Sequence, residues 1–197
     1  MTAPDGRRPV DDVSDAPPAR SGPRTSATAA SRIALGLCAA ALALAAPSAL
    51  LAQDDVGLPV GTAAPAAAVQ DLDGQPVDLA QFVGKKPALI EFWATWCPLC
   101  AALMPRVVAA HAKYGGRVEF VEVAVAVNET RASVQRHLAE HPLPFRFLWD
   151  ATGAAVRAYQ APTTSYLVAV DARGRIVYTG TGEDQDVEAA VRRAIGG

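Results

Sequence analysis

Apolar and polar positions divide the chain beyond residue 65 into alternating strand and helix patterns. The mostly apolar run at 85–93 begins with two lysines and is typical of a central strand buried on both faces. Residues 98–114 carry apolar side chains at helical spacing, starting at Leu99, and Gly115-Gly116 follows them. This pattern predicts a helix, with Pro105 as a kink inside it.

The same patterns predict the remaining elements. Strands are expected at 117–127, 145–149, 163–170 and 175–180, helices at 128–141 and 183–195, and an N-terminal hairpin at 66–79 around Asp73-Gly74. Strands that alternate with helices, followed by a terminal hairpin and helix, indicate an α/β fold. We therefore expect a mixed central sheet with helices on both faces and an N-terminal β extension.

The composition changes near residue 53 and separates a leader from a folded part. Residues 1–31 are rich in Pro, Ala, Ser, Asp and Arg, and they are too poor in large apolar groups to offset their ordering entropy, so we predict a disordered tail. Arg32 then precedes an apolar run that ends in small residues near Ala52, which is the pattern of a secretory signal peptide over 32–52.

An uncleaved membrane anchor through residues 33–52 is the alternative interpretation, because twenty uncharged residues are long enough to span a bilayer. Under either interpretation the rest of the chain lies outside the cytoplasm, with 53–64 as a linker and 65–197 as the folded domain. The net charge of −2 and the lack of a Lys/Arg cluster argue against a nucleic-acid partner.

Two of the three cysteines fall in the predicted domain. Cys38 lies inside the apolar leader, which leaves Cys97 and Cys100 as an even pair in a compartment where disulfides persist. Three chemistries compete for this pair. Zinc would use His137 and His141 as well, but the separation between the two pairs is far longer than in a zinc finger.

The other two chemistries are a structural disulfide and redox exchange. A two-residue spacing closes too small a loop for a structural disulfide to stabilise the fold much. It suits redox exchange, because the second thiol is always close enough to resolve a mixed disulfide. Cys97 falls where a buried strand ends and a helix begins, so free N–H groups would stabilise its thiolate, and Pro98 fits the first helical position. We therefore predict Cys97 as the exposed nucleophile and Cys100 as the buried resolving thiol.

The segment EFWATWCPLC, followed by Pro105, resembles the thioredoxin superfamily. With GTAAP and DLDGQPVDLAQFVGKKPALI before it and FLWDATGAAVRAYQAPTTSYLVAVDARGRIVYTG after it, the chain from about 58 to 195 resembles the secreted TlpA/ResA-like thiol–disulfide oxidoreductases. The resemblance implies a four- or five-stranded thioredoxin-like sheet, protein disulfide substrates, and no cofactor or metal beyond a redox-active Cys97–Cys100 disulfide. The Pro-Leu pair between the cysteines departs from the family's Gly-Pro or Pro-Pro.

The resemblance also implies roles for the surrounding residues. Pro162 matches a cis-proline that packs beside the cysteines, and Ala161 with it presents backbone to the substrate. Glu91 matches a buried acid that exchanges a proton with Cys100, and burial should raise its pKa. Trp96 is expected to shield Cys97 and offer a flat contact, whereas Trp93 and Trp149 are expected to pack in the core.

These expectations combine into a reductant that a membrane electron donor of thiol type keeps reduced, with cytochrome c maturation as the usual family role. Leu99 brings no charge or hydrogen bond to Cys97, which favours the reductant over an oxidant. Two other classes stay open at this point, a copper or zinc carrier and a thiol peroxidase using the same cysteines. A peroxidase site wants Thr or Ser three residues before its cysteine, where this chain has Ala94.

Overall fold

The computed structural model of the protein describes residues 56–197. The predicted tail, the signal or anchor segment, Cys38 and the first residues of the linker therefore lie outside the described residues. Within 56–197, no helix combines the length and the apolar character needed to cross a membrane.

The described chain alternates strands and helices in the predicted order. Its elements are β1 (Ala68–Asp71), β2 (Pro76–Asp78), β3 (Ala88–Trp93), α1 (Pro98–Tyr114), β4 (Glu119–Val125), α2 (Arg131–Glu140), β5 (Arg146–Asp150), α3 (Ala154–Ala158), β6 (Tyr166–Val170), β7 (Ile176–Gly180) and α4 (Val187–Gly196), with a short 3-10 helix at Leu79–Phe82. The predicted α/β class with a mixed sheet is confirmed.

The strands form one sheet in the order β2-β1-β5-β4-β3-β6-β7. The central strand β3 runs parallel to β4 and antiparallel to β6, and β1 joins the sheet by antiparallel pairing with β5. The expected five-stranded sheet corresponds to β5-β4-β3-β6-β7, and the expected N-terminal β extension is the hairpin β1–β2, which continues the same sheet beyond β5.

Both faces of the sheet are covered, which explains why every residue of β3 is buried. On one face, Leu89 packs in a cluster with Leu103 and Val107 of α1 and with the buried side of α4. The other face carries Ile90 and Phe92 in a cluster that includes buried residues of α3 and the 3-10 helix, whereas α2 lies beside α1, where His137 contacts Trp93 with ring centroids 5.9 Å apart. Side chains alternate along a strand, so Glu91 shares the α1 face with Leu89.

The sequence places residues 53–64 in a linker, but the described part of this segment bonds to the sheet. The N–H of Gly61 donates to the carbonyl of Ile176 at 2.8 Å, and that of Ala64 donates to Gly174 at 2.8 Å. Ala63 forms a β-bridge with Arg175. The folded unit thus begins before residue 65.

Helix α1 carries the cysteines at its first turn and has the predicted bounds. Cys97 is its N-cap, Pro98 is its first residue, and Gly115 follows its last turn. Leu103 and Val107 are buried against the sheet, whereas Leu99 is 42% exposed, so the predicted apolar stripe begins one turn too early. Pro105 lies inside the helix, and the kink there stays a prediction.

Candidate active site

The two cysteines form a disulfide at the junction of β3 and α1. Their Cα atoms are 5.3 Å apart. Cys97 has extended backbone and caps the helix with its sulfur, which accepts a hydrogen bond from the N–H of Cys100 at 3.1 Å. A sulfur at this place faces the unpaired N–H groups of the first turn, which favour a thiolate. Cys97 therefore lies at the start of the helix, as expected, and its role as the attacking thiolate stays a prediction.

The predicted contrast between an exposed and a buried cysteine is wrong for the disulfide form. Cys97 is 3% exposed and Cys100 is 2% exposed. The exposure differs from expectation because the Cys97 sulfur is bonded to the buried Cys100 and exposed residues flank it, among them Trp96, Pro98 and Leu99. The order of attack by the two thiols stays a prediction that rests on the helix geometry.

Glu91 lies in the middle of β3, where it is 1% exposed. Neither of its carboxyl oxygens has a hydrogen-bond partner among the described residues. Burial therefore raises the pKa of Glu91 from 4.5 to about 8. In the disulfide form this carboxyl carries a proton at neutral pH, as the sequence predicted for a buried acid near the cysteines.

A second buried acid, Glu122, was missed by the sequence analysis. It lies on β4 directly beside Glu91 in the parallel register, and it is also 1% exposed. Burial raises the pKa of Glu122 well above its ordinary value, and the charge of an ionised Glu91 raises it further. The signal was available, because Glu122 interrupts an apolar run just as Glu91 does.

Hydrogen bonds connect the loop before Cys97 to the loop after β4. The indole N–H of Trp96 donates to the carbonyl of Val127 at 2.8 Å. The backbone N–H and the hydroxyl of Thr95 both donate to the Glu129 carboxylate, at 2.7 and 2.6 Å, and Ser133 also donates to it. Partial burial opposes ionisation of Glu129, but these hydrogen bonds outweigh it and lower its pKa. Sequence reasoning missed Glu129, since it sits in a polar loop without a motif.

Trp96 remains 47% exposed beside Cys97, and Val127 is also exposed, so this rim is apolar. Trp93 is 3% exposed and packs against Phe147 with ring centroids 5.6 Å apart, as expected for a core residue. Trp149 is likewise buried. The predicted core positions of both tryptophans are confirmed.

Two clefts flank the active-site loop. The larger, about 560 Å³, is lined by both cysteines together with mostly apolar residues, including Trp93, Met104 and Leu143. The smaller, about 270 Å³, is lined by Trp96, Val127, Ala161 and Pro162 among others. Ala161 and Pro162 thus line a cleft at the active-site loop, while the cis geometry of their peptide bond stays a prediction.

The larger cleft also brings in the histidines of the zinc hypothesis. His137 and His141 line it, and their rings stack with centroids 4.8 Å apart. Even so, residues 56–197 contain no group of three or more His, Cys, Asp or Glu side chains close enough to hold a metal ion. The lining of this cleft combines the disulfide with apolar and imidazole groups.

Comparison with known proteins agrees with this geometry. The Redoxin family model matches residues 59–195. The thiol-disulfide oxidoreductase ResA of Bacillus thuringiensis is 29% identical over 125 residues, which cover 63% of this chain and 70% of the relative. The thioredoxin-like protein YneN of Bacillus subtilis is 31% identical over 139 residues, covering 68% of this chain and 79% of the relative.

Solved structures show the same fold. A putative thiol:disulfide interchange protein DsbE from Chlorobium tepidum superimposes with a TM-score of 0.60 at 24% identity, covering 70% of this chain and 95% of its own. A secreted Mycobacterium tuberculosis disulfide oxidoreductase homologous to E. coli DsbE gives a TM-score of 0.53 at 29% identity, covering 64% and 93%. The chain belongs to the Redoxin family, as a TlpA/ResA-like thiol–disulfide oxidoreductase with a thioredoxin-like fold.

Proposed function

We propose that the protein reduces disulfides in extracytoplasmic protein substrates through Cys97 and Cys100. The observation that carries this proposal is the disulfide at the N-terminus of α1, with the Cys97 sulfur as helix cap and both cysteines lining an apolar cleft. A capping sulfur is stabilised as a thiolate, and a thiolate is the form that attacks disulfides.

The exchange has two steps. The Cys97 thiolate attacks one sulfur of the substrate disulfide, forms a mixed disulfide and releases the other substrate sulfur as a thiolate. Cys100 then loses its proton and attacks the Cys97 sulfur, which releases the second substrate thiolate. The protein dithiol loses two electrons and two protons in total, and the substrate disulfide becomes a dithiol.

Glu91 supplies the proton chemistry for Cys100. It lies on the sheet face that α1 covers, and burial raises its pKa to about 8. As a carboxylate it accepts the proton of Cys100 during resolution. As a carboxylic acid, its state in the disulfide form at neutral pH, it returns that proton when an electron donor attacks the disulfide and Cys100 leaves.

The substrate is a polypeptide with apolar side chains near its disulfide. A cleft lies on each side of the active-site loop, and exposed Trp96, Leu99 and Val127 add apolar surface between and around them. Exposed apolar groups grouped around a buried reactive centre favour binding to another chain. Ala161 and Pro162 at the smaller cleft offer backbone to the bound segment.

The direction of the reaction is reduction, and a thiol-type membrane electron donor re-reduces the protein without any further cofactor. Leu99 brings no charge to Cys97, so the thiolate is less stabilised than in a strong oxidant. The extracytoplasmic location is supported by the signal-like segment at 32–52 and by the secreted Mycobacterium tuberculosis neighbour. Cytochrome c maturation is the specific role that the family resemblance favours.

The decisive experiment is disulfide reduction by active-site variants. Cys97→Ser should abolish the reduction of insulin that the protein catalyses with a small dithiol as electron donor, whereas Cys100→Ser should trap mixed disulfides with the substrate. Cys38→Ser is the matched control and should behave as wild type. Alkylation that labels Cys100 before Cys97 at neutral pH contradicts the roles of the two thiols.

The redox potential tests the direction. A reductant should lie nearer to the thioredoxin value of about −270 mV than to the DsbA value of about −120 mV. Peroxide consumption at a comparable rate, or a metal retained by the reduced protein in native mass spectrometry, would instead favour a peroxidase or a metal carrier.

A further inference from the structure

Two buried carboxyl groups lie side by side beneath the disulfide-bearing helix. Glu91 and Glu122 are partners in the parallel register of β3 and β4, and each is 1% exposed. Both oxygens of Glu91 and one of Glu122 make no hydrogen bond within the described part of the chain. Buried polar groups are usually hydrogen-bonded, so an unpartnered pair of acids calls for a function.

The strands on either side of the two acids place apolar side chains next to them. Leu167 of β6 is opposite Glu91, and Phe147 of β5 is opposite Glu122. The buried residues of α4, Val187, Ala190, Val191 and Ala194, add no charge.

Ionisable groups reach this face from two helices. On α2, His137 contacts Trp93 with ring centroids 5.9 Å apart and lines the cleft at the cysteines together with His141. On α1, the disulfide of Cys97 and Cys100 occupies the first turn, and His111 contacts Phe120 near the other end. The cations of α1 lie at the surface instead: Arg106 is 3.8 Å from Asp184, and Lys113 pairs with Glu188. Within residues 56–197, neither Glu91 nor Glu122 forms an ion pair with a cation that would stabilise a charge there.

The redox step creates such a charge. When an electron donor attacks Cys97, Cys100 leaves as a thiolate and takes the proton of Glu91, so the negative charge moves to the Glu91 carboxylate. A carboxylate in an apolar site is costly unless a donor hydrogen-bonds to it. A neutral carboxylic acid is such a donor, and neighbouring strands are only about 4.8 Å apart, so rotation of the two side chains brings the groups together.

We propose that Glu122 is a positioning residue that stays neutral and donates a hydrogen bond to the Glu91 carboxylate, which forms when Cys100 takes up the proton of Glu91. This proposal rests on the proposed thiol–disulfide exchange. Burial keeps Glu122 protonated, and the charge that appears on Glu91 raises the pKa of Glu122 further. The two like charges cannot both form at this separation. Glu122 thus lets Glu91 give up its proton without a buried cation.

The test follows the titration of Glu91 itself. The carboxyl stretching band of the oxidised full-length protein is recorded by infrared spectroscopy from pH 5 to 10, and the Glu91 band is identified by its loss in Glu91→Gln. Glu122→Gln retains a donor and should leave the midpoint near that of wild type. Glu122→Leu retains none and should raise the midpoint by about one pH unit or more, as expected for a lost hydrogen bond to a charged group. Glu122→Met repeats the apolar test with a more flexible side chain.

The matched control is Glu119→Gln, which removes a carboxylate from the surface of the same strand and should leave the midpoint unchanged. A second readout is reduction of the disulfide by dithiothreitol at pH 7, which Glu122→Leu should slow at least tenfold and Glu122→Gln should largely restore.

The sign of the shift separates the explanations. If Glu122 were ionised and repelled Glu91, both Glu122→Gln and Glu122→Leu would lower the midpoint, and the proposal would be wrong. Unchanged midpoints in both variants would also overturn it. The infrared titration needs no substrate. If it gives the expected midpoints but the wild-type protein fails to reduce insulin, the proposed function is refuted and the role of Glu122 stands.

Discussion

Replacing Glu91 by Gln should stabilise the oxidised protein, and increasingly so as the pH rises. The pKa of this carboxyl is about 8 in the folded protein against an ordinary value of 4.5. Between these two values the folded state binds more protons than the unfolded state, so the stability of the wild type falls with rising pH. The contribution of Glu91 is most favourable below pH 4.5 and is lost as the pH rises through 8.

The size of the effect follows from the pKa difference. One pKa unit corresponds to about 1.4 kcal/mol, so Glu91 costs about 3 kcal/mol at pH 7 and about 5 kcal/mol well above pH 8. Gln does not titrate and keeps the shape of the side chain. The burial of its amide changes stability by an amount that does not depend on pH. The difference in unfolding free energy between variant and wild type should therefore widen by about 4 kcal/mol from pH 5 to pH 8.5.

Urea unfolding of both proteins at pH 5, 7 and 8.5, without reductant, measures this difference. Glu188→Gln is the matched control with the opposite sign, because hydrogen bonds from Lys113 and Tyr114 lower the pKa of this exposed glutamate. Its removal should cost stability at neutral pH and little in acid. Parallel stability curves for wild type and Glu91→Gln would show that Glu91 is ionised and solvated in the fold, and the proton role argued for it would fail.

Two further predictions concern the same loop and strand. Glu91→Gln should slow resolution of the mixed disulfide by roughly ten- to a thousandfold, whereas attack by Cys97 should survive. The defect in re-reduction of the disulfide should be largest below pH 8. Stopped-flow rates from pH 5 to 9 that superimpose on those of wild type would contradict this prediction. Glu129→Ala removes the acceptor of three hydrogen bonds from Thr95 and Ser133. Because Glu129 is partly exposed, the unfolding free energy should fall by about 1 kcal/mol, and thiol–disulfide exchange should be slower as well. An unchanged urea midpoint would show that the active-site loop does not depend on Glu129.

The local signals in the sequence predict the elements well where residues with special backbone chemistry mark the ends. Helix α1 has its predicted bounds because Cys97-Pro98 opens it and Gly115-Gly116 closes it. Strand β6 begins at Tyr166, three residues later than predicted, because Ser165 takes a positive φ of 58° and the chain before it forms the loop around Pro162. β-propensity alone does not reveal such a turn.

Features that depend on several elements are less accessible to sequence reasoning. The seven-stranded arrangement arises because β1 pairs with β5, whose paired residues lie 77 and 79 positions later in the chain, and no local pattern encodes that pairing. Glu122 is different, since it interrupts an apolar run just as Glu91 does, and only its pairing with Glu91 depends on the register of β3 and β4. The burial of Cys97 likewise depends on contacts of the folded loop.

The energetic cost of the acid pair is itself an argument for its function. Domains of this size are stable by about 5–15 kcal/mol, and ionising Glu91 alone would consume about 5 kcal/mol of that. An apolar residue at position 91 or 122 would pack beside the strand partners Leu167 and Phe147 without that cost. Two acids in adjacent strands, under the helix that carries the disulfide, are therefore poorly explained by folding and well explained by a proton that must be delivered to Cys100 in a site closed to water.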